Sequence, residues 1–334
     1  MVRELTRGRE MKEYVIGFDV GGTRVKSGAV TQRGRMMAPG INPSGFALGM
    51  GNLLKTLKAE VARISDKLGG KPQAIGLGFP GAVDPDVGVV YLPGKLKGLE
   101  GYPIVKRLAK ATGVPVIADN DGRISIYAER HYGQARDLDW AVSITLGTGV
   151  GSGVLLDGKI LRDPHLQFGT QMSHIVMQAL GGRLCITNAR GTGDMLCSAT
   201  ALANQVKDGL SRGIPSVLSD QYFRDQSSID FKAVIRGVAR QDRLCTDELE
   251  HWTRNVGWLL VSAAHVYAPQ RIILSGGATN AAEYFIKPLQ KQVDEHLFRH
   301  PVGEGVPIVL SKLRDHAGVL GTAALAWEKA NGDT

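Results

Sequence analysis

The alternation of hydrophobic and polar positions is clearest in residues 14–30, where it predicts a β-hairpin. Tyr14, Ile16 and Phe18 alternate with smaller residues, and an extended pattern resumes at Val25 after a turn that contains two glycines. Glycines in a turn supply backbone freedom that a side chain would forbid. This hairpin is the element around which the rest of the chain is organised.

A second stretch, residues 140–157, repeats the plan of an apolar strand, a Gly-rich turn and another apolar strand. The repeat indicates an internal duplication in which each half offers one turn to a phosphate. Asp19 closes the first strand, and the turns themselves consist of Gly21, Gly22 and Thr23 and of Gly147, Thr148 and Gly149. Main-chain N–H groups and a Thr hydroxyl beside a carboxylate suit a phosphate with its metal ion. An ordinary tight hairpin turn is the alternative for either turn alone. With both turns, the sequence predicts a polyphosphate held between two domains.

Elsewhere, segments with helical spacing alternate with short apolar runs, which predicts an α/β protein. Helices are predicted at residues 46–68, 103–112, 122–132, 194–209, 230–240, 247–268 and 316–329, and further strands at 73–79, 87–92, 114–118, 271–274 and 307–310. Residues 161–192 have weak periodicity and are predicted to form long loops near a site. The strand at 114–118 delivers three polar residues at its C-terminal end, where ligands bind in open α/β sheets.

Composition narrows the class of protein. A hydrophobic share of 43% and a charged share of 22% are typical of a soluble globular protein, and no apolar run is long enough for a membrane span. Residues 1–13 mix both charge signs without an apolar core, so we expect a flexible tail and a cytoplasmic protein. Three cysteines fit a reducing compartment. The net charge of +8 comes from scattered residues, which favours a solvated surface over a nucleic-acid site.

Six ordered motifs resemble the ROK family, within the sugar kinase, actin and heat-shock ATPase superfamily. They are Asp19-Val20-Gly21-Gly22-Thr23, Pro80-Gly81, Asn120-Asp121, Gly147-Thr148-Gly149, His174 and Ser275-Gly276-Gly277. The resemblance implies a two-domain actin-like (ribonuclease H-like) ATPase fold with an active-site cleft between the domains. The small domain would comprise residues 14–121 and 316–334, and the large domain residues 122–315. The resemblance also implies a homodimer.

The resemblance further implies that ATP and Mg²⁺ bind and that the γ-phosphoryl group passes to a sugar hydroxyl. Asp19 would orient hydrated Mg²⁺ through water, and the turns at 21–23 and 147–149 would cradle phosphates. Gly276 and Gly277 would let the nucleoside lie flat against the main chain. Such proteins mainly position the reactants and neutralise charge.

Asp121 resembles the general base that accepts the proton of the sugar hydroxyl. A helix N-cap is the alternative role for Asp121, and Asp119 is a rival base, since alternation along a strand would place it on the same side. Asn120 would hold a substrate hydroxyl, or it is a simple turn residue. The substrate-binding residues that the resemblance implies are Pro80, Gly81, Asn120, Asp121, Arg123, Gln171, His174 and Asp194.

The chain departs from the family pattern in the loop after residue 170. Gln171 stands where family kinases carry a Glu, and the zinc motif that follows retains only Cys185, with Thr187, Thr192 and Asp194 at other motif positions. A structural Zn²⁺ needs four ligands, so we expect no zinc. His174 would then be available to the substrate, unless it is only a satisfied loop histidine.

These departures make glucose a doubtful substrate and favour a modified sugar or a cyclic polyol. Arg123, where family members often have a second Asn, could meet an acidic substituent. The predicted function is therefore an ATP-dependent kinase for a hexose, modified sugar or cyclic polyol. The alternative is a catalytically silent sugar-binding or sugar-sensing ROK protein. Sugar-sensing repressors of this family carry an N-terminal helix-turn-helix domain, for which the 13 residues before the first strand are too few.

Overall fold

The computed structural model describes residues 13–45, 48–84, 88–91, 101–162, 171–298 and 303–332. The chain divides into two compact units, unit 1 (Met1–Tyr132 with Asp315–Thr334) and unit 2 (Gly133–Arg314). The tail expected at residues 1–13 lies outside the described residues, except for Glu13.

Unit 1 is built on a five-stranded sheet. Its strands are β1 (Val15–Val20), β2 (Arg24–Val30), β3 (Met36–Pro43), β4 (Ile75–Phe79) and β7 (Val116–Asn120), and a separate short hairpin consists of β5 (Ala82–Asp84) and β6 (Val89–Tyr91). The order in the sheet is β3-β2-β1-β4-β7, with β1, β4 and β7 parallel to one another. The helices are α1 (Met50–Leu68), α2 (Ile104–Thr112), α3 (Asp121–Tyr132) and α10 (Ala317–Asn331).

Glycines let helix α10 lie directly against this sheet and against α3. A Cβ on Gly17 of β1 would collide with the carbonyl of Val319, and one on Gly76 of β4 would collide with that of Thr322. On the helix, a Cβ on Gly321 would collide with a carbonyl of α3. Because α3 packs on α10, it belongs to unit 1, whereas it was predicted to lie at the start of the second domain.

Strand β3 is a finding that the sequence did not predict. It contains Pro39 and Gly40, which are depleted in strands, but it lies at the edge of the sheet, where proline is tolerated. The pairing with β2 shifts register between Ser27 and Ala29, and Ala38 has φ 47° at this irregularity.

Unit 2 repeats the arrangement of unit 1. Its strands are β8 (Ala141–Leu146), β9 (Val150–Leu156), β10 (Lys159–Ile160), β11 (Arg271–Ser275) and β12 (Ile308–Leu310). Its helices are α4 (Gly193–Cys197), α5 (Ala199–Ser211), α6 (Ser219–Arg224), α7 (Phe231–Ala239), α8 (Arg243–Tyr267) and α9 (Ile286–His296). The sheet order β10-β9-β8-β11-β12 matches that of unit 1 position for position, in agreement with the predicted internal duplication.

The predicted helix at 194–209 is two helices, α4 and α5. They are separated at Ser198, whose side chain caps α5 by accepting a hydrogen bond from the Ala201 N–H. The core of unit 2 surrounds the fully buried Trp252, whose ring makes edge contacts with Phe231 and Phe285. No helix in the described part of the chain is long and apolar enough to span a bilayer.

Candidate active site

One edge of the unit 1 sheet collects the first group of predicted site residues. The register places Asp19 of β1 beside Gly78 of β4, and Gly78 beside Asp119 of β7. The C-terminal ends of these three neighbouring strands therefore bring together the turn after Asp19, the Pro80-Gly81 turn and the Asn120-Asp121 pair. In parallel sheets, this is the edge at which ligands bind.

The turn between β1 and β2 exposes main-chain N–H groups. The Gly21 N–H donates to the Arg24 carbonyl at 2.8 Å, which closes the turn. Gly22 and Thr23 are exposed, and neither N–H donates to any residue that the structure describes. A Cβ on Gly22 would meet no atom within 4 Å. The turn thus offers two unengaged donors, which is the chemistry that a phosphate oxygen requires.

Asp19 is partly buried and makes no hydrogen bond or ion pair with the described residues. Burial raises the pKa of its carboxyl group, and the charge of Lys26 opposes this shift. The first turn of α10 lies against it, since a Cβ on Gly318 would be 2.5 Å from Asp19 Cγ. A partly buried carboxylate without a partner suits a cation, and Mg²⁺ keeps several waters in such sites. The residues present therefore fit the predicted indirect contact between Asp19 and Mg²⁺.

Asp119 and Arg123 form a buried ion pair. Arg123 Nε donates to Asp119 Oδ1 at 2.6 Å, and the two side chains are 2% and 0% exposed. Asp119 is therefore unsuited to be the rival base, because a sugar hydroxyl cannot reach it. The expectation that Arg123 meets an acidic substituent of the substrate is not supported, since the guanidinium is turned into the protein.

Asn120, rather than Asp121, is the N-cap of α3. Its Oδ1 accepts hydrogen bonds from the N–H groups of Gly122 at 2.9 Å and Arg123 at 3.4 Å. Its amide nitrogen donates to the Gly81 carbonyl at 2.7 Å and to Asp121 Oδ1 at 3.1 Å. Both amide donors are thus engaged, so in this conformation Asn120 holds its neighbours rather than presenting a donor to a substrate.

Asp121 is the first residue of α3 and is exposed. Its Oδ1 also accepts from the Gly122 N–H at 2.9 Å, and the second carboxylate oxygen is not part of this contact. Gly81, whose φ of 92° favours glycine, is exposed as well and is tied to Asn120. A solvent-accessible carboxylate therefore lies at the N-terminus of α3.

In unit 2, the predicted residues lie at the C-terminal ends of β8 and β11, which are neighbouring parallel strands. The hydroxyl groups of Thr145 and Ser275 are 2.9 Å apart and join the two strand ends. Gly276 has φ 93°, and a Cβ there would collide with the carbonyl of Leu146. Gly277 is exposed, and a Cβ there would meet no atom within 4 Å. A bare stretch of main chain therefore follows β11, as a nucleoside contact would need.

The turn at 147–149 is closed between residues two apart, whereas the residues that close the turn in unit 1 are three apart. The Gly147 N–H donates to the Gly149 carbonyl at 3.0 Å, whereas the exposed N–H groups of Thr148 and Gly149 donate to no described residue. Asp194 lies directly behind the turn, with Oδ1 accepting from the Val150 N–H at 2.8 Å. One oxygen of Asp194 is therefore hydrogen-bonded to the turn, whereas Asp194 was predicted to bind the substrate.

Residues 171–192 form the loop that carries the other predicted substrate ligands. Gln171 is half-buried, His174 is exposed, and no described residue makes a hydrogen bond to the Gln171 side chain. His174 Nδ1 lies 3.5 Å from Cys185 Sγ. Burial acts to raise the pKa of the Cys185 thiol, but hydrogen bonds from Thr187 and Thr192 outweigh it and hold the pKa below its usual range.

Main-chain pairing closes this loop without a cluster of metal ligands. The Cys185 N–H donates to the Ala189 carbonyl at 2.7 Å, and the Gly193 N–H to the Ile175 carbonyl at 2.9 Å. Within the described residues, no three His, Cys, Asp or Glu side chains are grouped as a metal site would need. His174 and Cys185 therefore do not amount to the four-ligand site of a structural zinc.

Comparison with known proteins identifies the family. The model of the ROK family matches residues 15–329. The chain belongs to the ROK family. A glucokinase of Thermotoga maritima is 27% identical over 96% of this chain and 99% of its own length, and a glucokinase of Halalkalibacterium halodurans is 28% identical over 95% and 96%.

A solved structure extends the likeness to the fold. The ROK hexokinase of Thermus thermophilus superimposes with a TM-score of 0.78 at 25% identity, covering 96% of this chain and 99% of that protein. The predicted ROK membership and the two-domain α/β, actin-like fold are thereby confirmed.

Several residues of this ROK protein that contact the site were not predicted from the sequence. Ser44 and Thr200 donate to carbonyl groups of the two turns, and Gly318 abuts Asp19. Ser44 and Thr200 have no sequence signal, because each contacts its turn only through the tertiary fold. A glycine near the start of a helix, as at Gly318, does indicate a close approach by another group.

Proposed function

We propose that this ROK protein is an ATP-dependent kinase that transfers the γ-phosphoryl group of Mg-ATP to a hydroxyl of a hexose, a modified sugar or a cyclic polyol. The coarser class, a carbohydrate kinase, was predicted from the sequence and is confirmed by the glucokinase relatives. The assignment of individual residues and the choice of sugar are our proposal.

The observation that carries the proposal is the contrast between Asp119 and Asp121. Asp119 is fully buried and paired with Arg123, whereas Asp121 is exposed at the start of α3. A general base must come within hydrogen-bond reach of the hydroxyl whose proton it accepts, so only Asp121 of these two carboxylates qualifies. We assign Asp121 to that role. The sugar hydroxyl gives its proton to the Asp121 carboxylate and its oxygen forms a bond to the γ-phosphorus, while the bond from the γ-phosphorus to the β–γ bridging oxygen breaks and ADP leaves.

The residues for phosphate, nucleoside and Mg²⁺ are assigned from groups of each unit that make no hydrogen bond to the described residues. The N–H groups of Gly22 and Thr23, and those of Thr148 and Gly149, would donate to phosphate oxygens. Gly276 and Gly277 would receive the nucleoside. Asp19 would orient waters of a bound Mg²⁺. When bound, this ion supplies positive charge that stabilises the γ-phosphoryl group during its transfer.

The choice of sugar rests on Gln171 and His174. The half-buried Gln171 side chain has no hydrogen-bond partner among the described residues, so both its donor and its acceptor are available to a ligand. A site with such groups rejects ligands that leave them unpaired. Because Arg123 is buried, an acidic substituent is no longer part of the proposal, and a neutral modified sugar or cyclic polyol is preferred.

The test is ADP release by the purified protein with Mg-ATP and a panel of hexoses, N-acetylhexosamines, ketoses and inositols. We expect turnover on one class, with kcat lower by roughly 10²- to 10⁴-fold in Asp121→Asn. Asp66→Asn, an exposed carboxylate of α1 in the same unit, is the matched control and should behave as the wild type. Turnover that persists undiminished in Asp121→Asn would refute the base assignment, and failure to phosphorylate any member of the panel would count against the proposed acceptors.

A further inference from the structure

We propose that Ser44 and Thr200 are positioning residues that set the peptide planes of the two phosphate-facing turns, and thereby aim their N–H groups at the nucleotide. The inference rests on the proposed function, since it deepens the assignment of both turns to phosphate. It concerns two hydroxyl groups, one in each unit, that perform the same task on duplicated hairpins.

In unit 1, Ser44 follows the last residue of β3 and is only 2% exposed. Its hydroxyl donates to the Gly22 carbonyl at 2.9 Å, and its N–H donates to the Thr23 carbonyl at 3.0 Å. Both carbonyls of the turn are therefore held on the side that faces Ser44.

In unit 2, the start of α5 makes contacts of the same kind. The Thr200 hydroxyl donates to the Thr148 carbonyl at 2.7 Å, and the Ala199 N–H donates to the Gly147 carbonyl at 2.8 Å. As in unit 1, one side-chain hydroxyl and one main-chain N–H together capture two consecutive carbonyls of the turn.

The geometry of the peptide bond converts this capture into an orientation of donors. In a planar trans peptide, the C=O and the following N–H point in opposite directions. Holding the Gly22 carbonyl therefore turns the Thr23 N–H away from Ser44, and holding the Thr148 carbonyl turns the Gly149 N–H away from Thr200. These are among the N–H groups that donate to no described residue.

Without the hydroxyl groups, each glycine-containing turn could rotate these peptides at little cost, because glycine has wide conformational freedom. An N–H that must first be oriented gives weaker binding than one already in place. The loss should appear in ligands that carry phosphate and should be absent from the nucleoside alone.

Thr200 gives the sharper test, because it is exposed and its removal leaves the core intact. Binding of adenosine, ADP and ATP with Mg²⁺ is measured by calorimetry for the wild type, Thr200→Val and Thr200→Ser. We expect Kd for ADP and ATP to rise roughly 3- to 10-fold in Thr200→Val, Kd for adenosine to stay unchanged, and Thr200→Ser to restore the wild-type values. Ser44→Ala should show the same selectivity, with melting temperatures recorded for all variants.

Thr246→Val is the matched control, since the Thr246 hydroxyl also donates to a main-chain carbonyl of unit 2 at 2.8 Å, that of Asp242. It should leave all three Kd values unchanged. An equal loss for adenosine and ADP, or no loss in Thr200→Val, would overturn the inference. If the wild type itself bound adenosine but gained nothing from phosphates, the assignment of the turns in the proposed function would fail instead.

Discussion

The two hairpins differ most at the second-last residue of the strand before each turn. In unit 1 this residue is Asp19, and at the equivalent place in unit 2, two residues before Gly147, it is Thr145. Asp19 makes no hydrogen bond to the described residues, whereas the Thr145 hydroxyl is engaged with that of Ser275 at 2.9 Å. One strand end thus has a carboxyl group without a hydrogen-bond partner among the described residues, and the other has a hydroxyl group that is hydrogen-bonded.

The comparison shows that the two halves share main-chain N–H donors in their turns but differ in the side chain at the end of the preceding strand. Each turn is closed by a hydrogen bond from its first glycine N–H, to the Arg24 carbonyl in unit 1 and to the Gly149 carbonyl in unit 2, and each has two N–H groups that donate to no described residue. A phosphate can use either turn, because main-chain donors do not depend on side-chain identity. A metal ion needs the carboxylate, so in our proposal only the unit 1 turn serves both the metal and the phosphate.

The largest expected effect comes from removing the charge of Asp19. Asp19→Asn should lower kcat by roughly 10²-fold or more, because electrostatic stabilisation is the main contribution of such sites. Its effect on stability has the opposite sign. Burial raises the pKa of Asp19 in the folded protein, so the ionised carboxylate disfavours folding at pH values above that pKa, and this cost disappears as the pH falls through it.

Asp19→Asn should therefore unfold at higher denaturant concentration than the wild type at neutral pH, with the difference shrinking in acid. Chemical denaturation at several pH values and steady-state kinetics check the two halves of this prediction. A variant that is inactive and also less stable at neutral pH would contradict the idea of a carboxylate held ready for a cation.

The second prediction concerns Gly318, through which α10 approaches Asp19. A Cβ at this position would lie 2.5 Å from Asp19 Cγ, so Gly318→Ala should displace the carboxylate and lower kcat roughly 10- to 100-fold. Gly51→Ala is the control, because Gly51 lies in α1 with no atom within 4 Å of the added Cβ, and it should leave kcat unchanged. If Gly318→Ala retained full activity, the placement of Asp19 would not matter to the reaction.

Removing the hydroxyl of Thr145 should lower kcat less than removing the charge of Asp19. The ratio of the two losses measures how differently the two residues contribute to the reaction. Thr145→Val leaves the Ser275 hydroxyl without this partner and should lower the free energy of unfolding by about 1 kcal/mol. We expect kcat to change by less than the loss in Asp19→Asn, since no charge is removed. A loss of activity as large as that of Asp19→Asn would mean that Thr145 is as important to the reaction as Asp19, and would contradict the proposed difference between the two strand ends.

The sequence was sufficient to predict what depends on local pattern. The two hairpins, their glycine turns and the polar residues at the C-terminal end of β7 were predicted from alternation and turn chemistry. The edge strand β3 was missed, because Pro39 and Gly40 are typical of loops and only the irregular pairing beside Ala38 accommodates them.

What escaped prediction depends on partners that are far apart in sequence or hidden by burial. Asp19 and Gly318 lie near opposite ends of the chain, and only the fold of unit 1 brings them into contact. Arg123 in α3 follows Asp119 in β7 by four residues, but this spacing alone could not show that the pair is buried rather than exposed to a ligand. Asn120 was expected at the substrate, yet its amide is engaged by Gly81, Asp121 and the start of α3.

The smallest effect is expected from replacing Cys185. This substitution tests whether the structure of unit 2 depends on a bound metal ion. Cys185→Ala should lower the free energy of unfolding by about 1 kcal/mol or less, because the side chain is small and main-chain hydrogen bonds close the loop. Gly191→Ala is the contrasting variant, since it combines φ 62° with a collision at the Gln178 carbonyl and should destabilise the loop more. Thermal unfolding and KM for the sugar, measured with and without a zinc chelator in excess Mg²⁺, give the readout. Zinc found in the purified protein, together with a chelator-dependent rise in KM, would give unit 2 a metal of its own and end the contrast between a charged and a neutral half.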